Sequence, residues 1–151
     1  MYPTKILLAT DGSEESTPAA KTAVELANAT GSELHVAHAI STAPQKPYPR
    51  HFERARSEDL LQRKRVAALV LLDEKVRQIE KMGGIVVSSY YREGDPADEV
   101  LSLAEELGVG LIITGGRRLA NRRLFWSSSY PMELFHRARC QVLIVREGKA
   151  E

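Results

Sequence analysis

Two short segments, far apart in the chain, carry residue types that suit anion and hydroxyl chemistry. Near the front, Asp11-Gly12-Ser13 follows the apolar run Ile6-Leu7-Leu8-Ala9, so a carboxylate is presented at the carboxyl end of a strand. In the last third, Leu111-Ile112-Ile113-Thr114 runs into Gly115-Gly116, then into a loop rich in arginine and serine (Arg117 to Ser129), then into a short helix. A glycine turn, cationic side chains and a helix start together favour an anion, because backbone N–H groups are left free there and the helix dipole is positive at that end. Gly115, Gly116, Ser128 and Ser129 would offer donors to phosphate oxygens. Asp11 suits sugar hydroxyls or a magnesium ion, and the backbone near Val36 suits the edge of an adenine ring.

Each feature also has a plain structural reading. Asp11 before Gly12 can form a turn that starts the next helix. Gly115-Gly116 can be a tight turn after a strand, and Arg117, Arg118, Arg122 and Arg123 a solvated loop face. Ser127-Ser128-Ser129 can cap the last helix. Leu124-Phe125-Trp126 either packs the loop down, joins a subunit interface, or fills the space of a ligand's tail. The two segments matter jointly only if the fold brings them to one rim.

The elements that must do so follow from period and punctuation. Lys5–Ala9 reads as a strand covered on both faces. Thr17-Pro18 starts a helix with Ala20, Val24 and Ala27 on one face, and Gly31 stops it. Glu33–Ile40 is a second strand, and the segment from Ser41 to about Arg56 reads as an excursion loop. A long amphipathic helix is expected from Ser57 to Met82, its inward stripe being Leu61, Ala68, Leu72, Val76 and Ile79. Ile85–Tyr91 is a third strand. Asp95-Pro96, with acids in the next turn, begins a helix ending near Gly108. Leu111–Thr114, a helix over Tyr130–Arg137 and strand Gln141–Arg146 complete the series. Helices in every crossover call for a doubly wound parallel sheet with helices on both faces.

Bulk properties exclude several classes. The chain has 151 residues, enough for one domain with its own core, here residues 1–147 with a polar tail at 148–151. A formal charge of +1 argues against nucleic-acid binding by bulk electrostatics. No apolar run approaches a membrane span, and no leader is expected, so a cytoplasmic setting is the expectation. The single cysteine, Cys140, reads as a structural thiol. His35, His38, His51 and His136 are scattered, with neither metal-ligand spacing nor a nucleophile partner, so no metal site and no catalytic set are expected.

From Lys5-Ile6-Leu7-Leu8-Ala9-Thr10-Asp11-Gly12-Ser13 through Leu34-His35-Val36, Glu93-Gly94-Asp95-Pro96-Ala97 and Leu111-Ile112-Ile113-Thr114-Gly115 to Cys140-Gln141-Val142-Leu143-Ile144-Val145-Arg146, the chain resembles the universal stress proteins. The resemblance implies five strands in the order 3-2-1-4-5 and a homodimer joined through Gln141–Arg146. It also implies binding of ATP or another adenine nucleotide, with magnesium, and at most slow hydrolysis. ATP-binding members carry a glycine, two residues, a glycine, nine residues, then glycine and serine or threonine. Here those positions are Gly115, Arg118, Ser128 and Ser129, so the first glycine and the final serine match and two glycines are replaced. Asp11 and Val36 match the family's strand-end aspartate and adenine-contacting valine. Arg118 either obstructs the phosphates or folds over them with charge-assisted bonds. The alternative is a homodimeric interaction module without a nucleotide.

Overall fold

A computed structural model describes residues 4–10, 17–42, 53–116 and 130–146, the side chains of 53–57 excepted. Among these residues five strands and four helices alternate: β1 Lys5–Thr10, α1 Thr17–Thr30, β2 Glu33–Ile40, α2 Glu53–Lys81, β3 Val86–Glu93, α3 Pro96–Leu107, β4 Leu111–Gly115, α4 Tyr130–Arg137 and β5 Gln141–Val145. All pairings are parallel, in the order β3-β2-β1-β4-β5. The doubly wound sheet expected from the alternation is therefore present.

β1 sits at the centre and is sealed on both faces. Ile6 and Leu8 pack toward α1 and α2 with Ala20, Val24, Leu72 and Ile79. Leu7 and Ala9 pack toward α3 and α4 with Val100, Leu103 and Leu134. This two-sided burial is why the strand reads as a continuous apolar run rather than an alternating one. α1 presents alanines to the sheet (Ala19, Ala20, Ala23, Ala27), which lets its backbone lie close.

The helix ends are chemically defined. Asp95 caps α3 by accepting from the Asp98 N–H at 3.0 Å, with Pro96 at the first helical position. Gly108 closes α3 at φ +70°, a left-handed conformation that costs glycine little. α2 begins at Glu53, earlier than the expected Ser57. Glu53-Arg54-Ala55-Arg56 are good helix formers, and neither glycine nor proline interrupts them. β3 extends to Glu93, two residues beyond its expected end, and carries an irregularity opposite Leu34/His35.

Candidate crevice at the carboxyl ends of the central strands

The chain direction reverses between β1 and β4. From β1 it winds outward through α1 to β2 and β3, then returns by α3 to β4 and continues to β5. At such a switch point the loops leave in opposite directions and a crevice opens beyond the strand ends. Ala9 pairs with Thr114, so the two strands end level with each other. The Thr114 hydroxyl donates to the Ala9 carbonyl at 3.1 Å and ties the strands together at this mouth. Because each helix returns antiparallel to the strand before it, α1 and α4 start on this rim. Their positive ends face the same side.

Asp11 follows Thr10, the last residue of β1, but lies outside the described residues, as do Arg118, Ser128, Ser129 and Leu124-Phe125-Trp126. Gly115 is the last residue of β4 and stands on the rim. Gly116 follows it, and its N–H donates to the Val145 carbonyl at 2.9 Å. That group is spent on extending the β4–β5 ladder. N–H groups alternate sides along a strand, so the Gly115 N–H faces β1 and the β1–β4 ladder instead. Val36 is fully buried in the middle of β2, opposite Leu8 and Ser89. The β2 residues that reach the rim are His38, Ala39 and Ile40.

His38 is the rim residue to whose side chain sequence reasoning gave no role. It is 5% exposed, and its Nδ1 lies 2.9 Å from the Thr10 carbonyl. A carbonyl only accepts, so Nδ1 carries the proton and donates. This bond fixes the end of β1 just before Asp11. Its signal in the sequence is register alone: His38 pairs with Thr10.

Charges gather farther out, over β3. Arg65 of α2 pairs with Glu93 at the end of that strand. The hydrogen bond from Arg65 holds the Glu93 carboxyl below its ordinary value of 4.5. Burial, and then the nearby Glu93 carboxylate, raise the Tyr91 hydroxyl. That hydroxyl is buried and has no hydrogen-bond partner of acceptable geometry among the described residues. Lys64 donates to the Ser41 carbonyl at 2.7 Å and holds the start of the β2–α2 connection against the helix. Burial also raises the Cys140 thiol, which keeps it protonated and poorly nucleophilic at neutral pH. Among the described residues, no cluster of three or more His, Cys, Asp or Glu side chains could hold a metal ion. No described helix is long and apolar enough to cross a membrane.

This sheet order, with its switch point at β1 and β4, agrees with a match of residues 3–146 to the universal stress protein family. The chain belongs to that family. Universal stress protein YxiE of Bacillus subtilis (strain 168) is 32% identical over 151 residues, covering 94% of this chain and 98% of YxiE. Among solved structures, universal stress protein UspA from Lactobacillus plantarum superposes with a TM-score of 0.78 at 18% identity, covering 97% of this chain and 99% of UspA. A universal stress protein solved in complex with cAMP gives 0.72 at 22% identity, covering 98% of this chain and all (100%) of the other. One from Archaeoglobus fulgidus in complex with dAMP gives 0.59 at 18% identity, covering 95% and 98%. The structural likenesses confirm the universal stress protein fold and its strand order.

Proposed function

We propose that this universal stress protein binds an adenine nucleotide, ATP with magnesium being the candidate, in the crevice between β1 and β4. The observation that supports the reading is the level ending of these two strands at the switch point, which brings Thr10, the residue before Asp11, to the same rim as Gly115. Asp11 would take the ribose hydroxyls or the metal ion. Ser128 and Ser129 would take phosphate oxygens at the start of α4, with Gly115 at the turn beneath them and Arg118 folded over them. The base would lie against the β2 rim at His38–Ala39, above the buried Val36. Complexes of two similar folds with cAMP and dAMP support the ligand class. The protein acts in the cytoplasm as a nucleotide-responsive homodimer joined through β5.

Calorimetric titration with ATP, with and without magnesium, checks this. Saturation by a ligand at a hundred times its dissociation constant raises stability by roughly 2.7 kcal/mol, so the melting temperature should climb by several degrees. The absence of both heat and a melting shift at millimolar ATP would remove the proposal.

A second reading, an interaction module without a nucleotide, is favoured by two observations. The Gly116 N–H is already engaged by Val145, and two motif glycines are replaced by Arg118 and Ser128. Binding that emerges only in an Arg118→Gly/Ser128→Gly double variant would assign the native chain to this second class.

A further inference from the structure

α2 rests on the sheet with one stripe, in which Ala68, Leu72 and Ile79 are all buried. A helix covered on that side alone should turn a polar face to water. Instead Val66 and Val70 stand on the outer face at 53% and 51% exposure, with Leu69 beside them at 50%. A step of three residues outward from this pair brings Arg63 and Asp73, and a further step of four brings Asp59 and Arg77. The six positions fall at the alternating spacing of a two-helix seam. The charged side chains are 62–76% exposed, and within the helix they pair as Arg63–Asp59 at 3.3 Å and Arg77–Asp73 at 2.9 Å.

Those intrahelical pairs account for the charges on a solvated face, but not for the valines between them. The whole row has a further property: turned end for end, it complements itself. With Val66 of one copy against Val70 of another, Arg63 meets Asp73 and Asp59 meets Arg77. The two-fold axis makes each meeting occur twice. A parallel pairing in register would instead set aspartate on aspartate and arginine on arginine. Ala67, small and on the flank of the seam, permits close approach near the axis, and Leu69 meets its own copy on the other flank.

The geometry points to α2 as an interface with a second copy of this chain, the helices antiparallel and crossing on a two-fold axis level with Ala68. The seam from Asp59 to Arg77 is about 27 Å long, a contact of five turns. The crossing follows the shallow angle of helices packed through such a seam. This surface lies on the β2–β3 side of the molecule, away from β5, and the inference holds whether or not the crevice takes a nucleotide.

Sedimentation equilibrium over a range of protein concentrations tests it, on the native chain and again in a Leu143→Lys background so that association through β5 cannot imitate the result. Val70→Asp should halve the associated mass in both. Arg63→Glu and Asp73→Arg should each raise the dissociation constant about tenfold, because two exposed ion pairs become two repulsions. An equimolar mixture of these two single variants should regain native association. Each mixed pair then sets the introduced glutamate of one copy against the introduced arginine of the other. At the symmetry-related contact, native Asp73 meets native Arg63, so both contacts are attractive, a recovery that damaged folding could not produce. An unchanged mass for Val70→Asp overturns the interface and leaves the face to another partner. Unaltered association in either reversal, or no recovery on mixing, overturns the antiparallel register.

Discussion

Among the described residues β3 and β5 each have one side without a neighbouring strand, yet their side chains treat that edge in opposite ways. β3 is eight residues long and ends in Tyr90-Tyr91-Arg92-Glu93. Arg65 pairs with its Glu93, Glu106 holds Arg92 at 3.1 Å, and an irregularity interrupts its pairing with β2. Charges and bulges are the devices by which edges avoid further pairing. β5 has only five residues, Gln141-Val142-Leu143-Ile144-Val145, with neither charge nor bulge. An edge left this plain is one that a second chain can extend, which supports joining through β5 rather than β3.

The contrast can be broken from its centre outward. Ile112 in β4 is fully buried, so Ile112→Ala should cost about 2–5 kcal/mol in denaturant unfolding. Val87→Ala on the β3 edge, where the side chain is 53% exposed, should stay within about 0.5 kcal/mol. Equal losses at both positions would show that the edge is covered in solution. Next comes the plain edge itself. Leu143→Lys gives β5 the kind of charge that β3 already has, and light scattering should then report half the native mass with an unchanged circular dichroism spectrum.

A smaller effect is expected where the return from the β3 edge begins. Asp95→Ala removes the cap of α3 and should lower stability by about 1 kcal/mol in urea melts, with Asp95→Asn recovering most of it. The smallest concerns the charge that guards β3. The Glu93 carboxyl is held below 4.5 by Arg65, so the folded state binds that proton less readily than the unfolded chain. Its contribution is present above pH 4.5 and fades as the pH falls through the lowered folded value. Melting temperatures of the native chain and Glu93→Gln should therefore differ most near neutrality and converge in acid. The gap should be small, because the pair is partly exposed.

Much of this architecture was legible because local signals agreed with each other. Asp95-Pro96 with Gly108 bounded α3, and the apolar runs of β1 and β4 announced strands buried on both faces. The inward stripe of α2 also followed from spacing, whereas its start at Glu53 lacked a cap residue to mark it. The crevice was harder to read. That the ends of β1 and β4 share a rim depends on strand order, which for this chain followed from resemblance rather than from composition or period. Engagement of the Gly116 N–H by Val145, and the sealing of Val36 beneath the rim, are products of pairing between distant segments. A single strand's sequence does not encode them. The His38–Thr10 bond was invisible for the same reason.

The irregularity in β3 has a consequence for insertions and deletions. Leu34 pairs with Val86 and His35 with Ser88, so Val87 is a supernumerary residue that the ladder steps over. A chain lacking Val87 could pair the same partners without a detour, and Tyr90 would still stack on His35. If the ladder stopped skipping it, every later side chain of β3 would change faces, and Tyr90 would exchange helix layers with Tyr91. The strand thus tolerates a gain or loss of length at one point while the phase of everything downstream is preserved.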